Sequence, residues 1–146
     1  AAADFAALIA RLGTHFDIRA DSEIAVEIDP RTLSREMVSA LAKSSVNRAS
    51  LGIQDFDPDV QRAINRIQPL AETRRRVAWL RAAGIDNISF DLMYGLPRQT
   101  EQSVRRTVDL AVSIRPNRLS IFGYAHVPWM KSHQRMIDAD AAISRM

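Results

Sequence analysis

The 146-residue chain contains no cysteine. That excludes disulfides, thiolate zinc sites, cysteine nucleophiles and any cysteine-held iron–sulfur cluster within it. Lack of disulfides fits a cytosolic protein, and a cytoplasmic location is the expectation. No run of 18 or more apolar residues occurs, so no transmembrane helix is expected. The start, "AAADFAALIARLGTHF", carries Asp4 early, has no basic region and does not read as a signal peptide. Its Phe5, Leu8, Ile9 and Leu12 recur at helical spacing, which predicts an amphipathic helix. Excess charge is small, +3 at neutral pH. Such mild basicity suits an anionic ligand and is too little to argue nucleic-acid binding. The one basic run, Arg74-Arg75-Arg76, reads as a solvated helix face. Glycine is scarce, and Gly52 and Gly95 stand isolated. There is no G-x-G-x-x-G and no Walker-A loop, nor any G-x-S-x-G, H-E-x-x-H or paired His–Ser arrangement.

What is present alternates. After the first helix, Glu23 to Ile28 reads as a strand ending at Asp29-Pro30. A helix from Ser34 to Lys43 follows, with Met37, Val38 and Leu41 on one face. "RASLGIQ", Arg48 to Gln54, is the second strand. Asp57-Pro58 is a capped helix start, with Val60, Ile64 and Ile67 as the apolar stripe. Another helix covers Leu70 to Ala83 and ends at Gly84. "NISFDLMYG" is the third strand; Thr100 caps a helix running to Ile114; Arg118 to Ala125 is the fourth strand. The tail beyond Pro128 reads as partly helical. Repeated βα units argue an α/β fold with a parallel sheet. The strands read as apolar on both faces. No linker or domain boundary is visible.

Polar residues end the strands: Glu27, Gln54, Asp91 and then Tyr124-Ala125-His126. The intervals fit the roughly 31 residues per unit of a (β/α)₈ barrel, so four strands look like about half a barrel. A flavodoxin-type sheet is the competitor, but it normally carries a phosphate loop after its first strand. Ligands of parallel α/β folds bind at the carboxyl ends of strands. Two carboxylates and an amide there, with Arg66 shortly after the second strand, suit a ligand bearing an amino-acid head and ribose hydroxyls. Each residue also has a plainer reading. Glu27 can cap a loop, Gln54 can belong to a turn, and Arg66 and His126 can be surface or structural residues. Asp91 lies inside an apolar strand, where an ionised carboxylate is costly without a partner. Phe122, Tyr124 and Trp129 could line a pocket for a flat ligand or belong to the core.

The strings "EIDPR", "NRASLGIQDFDPDVQRAINRIQP", "FDLMYGLPRQT" and "RLSIFGYAHVPWMKSHQRMIDAD" resemble the oxygen-independent coproporphyrinogen III dehydrogenases of the radical S-adenosylmethionine superfamily. The likeness runs from Phe5 to Asp140. It implies strands three to six of a partial (β/α)₆ radical-SAM barrel, with residues 1–146 as one incomplete domain. The resemblance implies a [4Fe–4S] cluster on a CxxxCxxC loop, two S-adenosylmethionine molecules and an electron donor. The implied reaction turns two propionates of coproporphyrinogen III into vinyls, giving protoporphyrinogen IX in haem biosynthesis. By position, the cofactor contacts fall on Glu27, Gln54, Arg66, Asp91 and Ala125. In that reading Arg66 pairs with the methionine carboxylate and Glu27 with the ammonium. Asp91 and Gln54 take ribose hydroxyls, and Ala125 lies beside the adenosyl group.

The departures from the family matter as well. The cluster loop, the glycine-rich segment after the second barrel strand and the substrate-covering C-terminal domain are missing. The chain is therefore expected to be an internal fragment, inactive alone and without metal ligands. Ser45 stands where the family often has glycine, and a turn there would need positive φ. Two rival readings are a haem-chaperone-like radical-SAM paralogue and a non-catalytic half-barrel binding module. Asp55 in "IQDF" and the "GYAHVPW" string favour the dehydrogenase.

Overall fold

The computed structural model describes residues 2–125 with Val127, Trp129, Met130 and Gln134. His126 and most of the tail expected to be partly helical lie outside the described residues. The elements are α1 (Ala2–Gly13), β1 (Ala25–Ile28), α2 (Arg35–Lys43), β2 (Arg48–Gln54) and α3 (Pro58–Ala63). Then follow α4 (Leu70–Ala82), β3 (Asn87–Tyr94), α5 (Glu101–Ser113) and β4 (Arg118–Gly123). The strands are all parallel, in the order β1-β2-β3-β4. Strand order that follows chain order has no switch point, so this is barrel-type winding rather than a flavodoxin-type sheet.

One face of the sheet is covered. Ala49, Leu51 and Ile53 of β2 and Ile88, Phe90 and Leu92 of β3 form one core with Val38 and Leu41 of α2. Val77 and Leu80 of α4 and Ala111 and Ile114, at the end of α5, complete it. The other face differs from the expectation of strands apolar on both sides. It carries Glu27, Ser50, Gly52, Gln54, Ser89, Asp91 and Ser120, aligned by the strand register. Alternation in β2 is complete: every second side chain enters the core and the others remain half-buried on the polar face.

Local signals set the helix ends. Ser34, Asp57 and Thr100 each accept backbone N–H bonds as N-caps, and Thr100 forms a capping box with Ser103. Helix α3 is shorter than the spacing of Val60, Ile64 and Ile67 suggests. It stops at Ala63, and Ile67 is 54% exposed. Asn65, at φ +52°, turns the chain out of the helix. The same left-handed exit closes α2 at Ser45 (φ +58°), α4 at Gly84 (φ +85°) and α5 at Arg115 (φ +59°). After α2, Ser45 N–H donates to Ala42 O and Val46 N–H to Leu41 O, both at 3.1 Å, which is a Schellman motif.

Serine at Ser45 therefore bears the steric cost that the resemblance implies, since a left-handed L-residue costs about 1–2 kcal/mol. Glycine recovers part of this and loses some in unfolded-state entropy. Ser45→Gly is expected to raise stability by about 0.5–1 kcal/mol in urea unfolding. An unchanged or lowered midpoint would contradict it.

The arginine run is only partly a solvated face. Arg76 stacks over the Trp79 ring at 4.3 Å, with Arg35 at 4.7 Å and Arg75 at 5.5 Å. Arg76 also donates to Pro30 O.

Candidate functional site

The site is built on Gly52. Its carbonyl accepts Arg66 Nη2 at 2.8 Å. A Cβ placed on Gly52 would stand 3.1 Å from Gln54 Nε2 and 3.4 Å from Arg66 Nη2. The amide and the guanidinium thus lie over one bare patch of backbone, where any side chain would crowd them. Gly52 is also the register partner of Asp91 in β3.

Arg66 reaches this patch from α3. Asn65 N–H donates to Arg62 O and Arg66 N–H to Gln61 O, so Arg66 is the second residue beyond the cap of a Schellman motif. Its Nη1 donates to Asp29 Oδ2 at 3.2 Å. Burial pulls the guanidinium below its ordinary pKa, against the opposing attraction of Asp29. Asp29 is also held by the Arg31 side chain, whose hydrogen bonds, first among several causes, lower its carboxyl pKa. Arg66 Nε is buried and has no hydrogen-bond partner among the described residues. A buried unsatisfied N–H is a standing cost that an incoming acceptor relieves.

Asp91 faces Ser50. Ser50 Oγ donates to Asp91 Oδ2 at 2.8 Å across β2 and β3. Ser50 is in turn the register partner of Glu27, which is exposed on β1. Glu27, Gln54 and Asp91, from three neighbouring strands, and Arg66, from beyond α3, therefore lie around Ser50 and Gly52, with Gln54 at the carboxyl end of β2 and Asp91 near the middle of β3. Ala125 stands apart, beyond the end of β4. Its carbonyl accepts Gln134 Nε2 at 3.1 Å, so that backbone acceptor is already engaged. Tyr124 N–H donates to Tyr94 O, tying this segment to the end of β3. Phe122 and Trp129 are 55% and 73% exposed, so among the described residues they are not core.

Sequence reasoning passed over Asp29, Ser50 and the placement of Gly52. Asp29 read only as a strand stop, and Ser50 matters through a pairing 41 residues distant. The fit of a cofactor can be tested on these groups. Acceptors on Asp91, Glu27 and Gln54 beside a partly unsatisfied guanidinium suit a zwitterion with vicinal hydroxyls, as in S-adenosylmethionine. An iron–sulfur cluster finds no thiolate, because the chain has no cysteine. Among the described residues no helix is long and apolar enough to cross a membrane.

The chain is similar to several known proteins. The oxygen-independent coproporphyrinogen III oxidase of Bradyrhizobium diazoefficiens is 56% identical over 137 residues, covering 94% of this chain and 30% of the relative. The anaerobic coproporphyrinogen III oxidase 1 of Cereibacter sphaeroides is 48% identical over 118 residues, covering 81% of this chain and 26% of the relative. The solved structure of coproporphyrinogen III oxidase from Escherichia coli, described as a radical SAM enzyme, superposes with a TM-score of 0.92 at 35% identity. That match covers 99% of this chain and 33% of the solved one. The chain thus spans about a third or less of each of these relatives. The sequence profile of the radical SAM superfamily matches residues 2–111, and with the parallel βα winding seen here the chain belongs to that superfamily.

Proposed function

We propose that this chain is strands three to six of the barrel of a cytoplasmic oxygen-independent coproporphyrinogen III dehydrogenase, and that its polar sheet face is one wall of an S-adenosylmethionine site. The gathering of Gln54 and Arg66 over Gly52, beside Asp91, is the observation that carries the reading. Arg66 takes the methionine carboxylate, with Asp29 holding the guanidinium in place. Asp91, oriented by Ser50, and Gln54 accept from ribose hydroxyls. Glu27 takes the ammonium, and Ala125 leaves room beside the adenosyl group. The chemistry supplied by the cofactor and a cluster held on other parts of the protein is hydrogen abstraction from propionate side chains of coproporphyrinogen III, with an external electron donor. This chain's own residues bind and orient; the lack of cysteine means that alone it generates no radical.

The test is a chimera in which this chain replaces the 137 aligned residues of the Bradyrhizobium relative. It is expected to bind S-adenosylmethionine and retain the oxidase activity. Arg66→Ala should weaken binding about 10- to 100-fold, the value of a charge-assisted hydrogen-bonded pair. Asp91→Ala should weaken it by at least tenfold. The chain alone, lacking part of the site, should bind weakly in calorimetry. Unchanged affinity in both chimera variants would overturn the assignment.

A further inference from the structure

Immediately after Gln54 the chain buries a carboxylate. Asp55 is 1% exposed and is surrounded by neutral donors. Its Oδ1 accepts Asp57 N–H at 2.6 Å and Thr107 Oγ1 at 2.7 Å, and its Oδ2 accepts Gln99 Nε2 at 2.5 Å. A buried carboxylate is costly unless donors satisfy it, and here three neutral donors from separate segments do so. The carboxylate is thereby a junction between those segments.

Its neighbours show what that use is. Asp55 N–H donates to Ile53 O at 2.9 Å across Gln54, whose φ is +68°. An i→i+2 bond across a residue at that φ is the classic γ-turn, rare and strained. The register of β2 on β3 shifts at the same point, between Gly52 and Gln54. Gln99 donates as well to Met93 O at 2.8 Å and accepts Leu96 N–H at 2.9 Å, so Asp55 is tied to the end of the strand that carries Asp91. The Asp55 carbonyl accepts Gln61 Nε2 at 2.9 Å. The Gln61 amide also bonds both the N–H and the C=O of Gln68, closing the loop that bears Arg66.

We propose that Asp55 is a positioning residue of the ligand site: its buried carboxylate fixes Gln54 in its strained turn and ties it to the segment carrying Asp91, while its carbonyl holds the Gln61 side chain that closes the loop bearing Arg66. This rests on the S-adenosylmethionine reading of that site. Asp55 is buried and acts through Gln54.

The experiment is a double-mutant cycle on S-adenosylmethionine affinity in the chimera, with Asp55→Asn, Gln54→Ala and the pair. Asn presents an amide N–H₂ to donors, so Asp55→Asn should weaken binding about tenfold. Gln54→Ala should cost little more in that background, since its side chain is already misplaced. Thr107→Val, which removes one donor with little change in volume, should weaken binding severalfold, and Thr107→Ser should restore it. Additive losses in the cycle, or wild-type affinity in both Asp55→Asn and Thr107→Val, would overturn the positioning role. Should Gln54→Ala and Arg66→Ala both leave affinity unchanged, the binding reading itself fails, a result distinct from the other two.

Discussion

Phe90→Ala is expected to remove about 3–5 kcal/mol from the unfolding free energy of the chain. Phe90 is 0% exposed at the middle of β3. On the core face its register partners are Leu51 of β2 and Leu119 of β4. Helices α2, α4 and α5 close the same core from the other side. Strands on both flanks and helices above leave little freedom for collapse, so the cavity term adds to the lost transfer energy. Against a typical stability of about 5–15 kcal/mol the loss is a large share. Phe122→Ala supplies the control. It deletes the same side chain where 55% of the residue is already in water, and should change stability by no more than about 0.5 kcal/mol. Urea unfolding of the two variants reads the difference directly. Similar losses in both would mean that the core is not centred where the register places it.

The second large effect is expected at Gln61, where packing is not the cause. Gln61 is 4% exposed, and its side-chain amide makes three hydrogen bonds, all to backbone groups of Asp55 and Gln68. Leucine has nearly the same volume and none of the polar atoms. Gln61→Leu would strand buried backbone groups at about 1–3 kcal/mol each, for a total of roughly 3 kcal/mol or more. Gln61→Glu keeps the acceptor for Gln68 N–H but turns the donor towards two carbonyls into an acceptor, so it should not rescue stability. A loss below about 1 kcal/mol in Gln61→Leu would show that water or a local shift satisfies those groups.

The parts of this fold that were readable from the residues are those fixed locally. Strand β2 alternates cleanly because a covered face and a polar face impose a period of two. Asp57 and Thr100 announce helix starts because their side chains bond backbone two or three residues away. The strain at Ser45 was legible only through the resemblance, in which glycine often stands there, and the helix does exit at that point in a left-handed step. The α3 stripe misled for the same reason in reverse. Ile64 and Ile67 keep helical spacing, but Asn65 ends the helix between them. The polar face was legible only as separate strand-end residues. Asp91's partner, Ser50, depends on the relative register of two strands, which no local pattern records. The Asp55 cluster was hidden more deeply, since its donors come from the start of α3, the loop before α5 and α5 itself.

The delivery of Arg66 from the end of α3 has a consequence for how this site can change over time. Gln54 and Asp91 are welded to strands, and a shift in either would disturb the pairing of the whole sheet. The guanidinium instead arrives on a two-turn arm attached to the frame through Gln61 and Asp29. One residue added to or removed from that arm would re-aim a positive charge while leaving the strand register intact. On the proposed S-adenosylmethionine reading, the strand-borne half that would face the ribose is expected to be the conservative half. The arm that would meet the carboxylate is expected to be the tunable one, with natural variants that accept a differently charged ligand carrying their changes between residues 58 and 68.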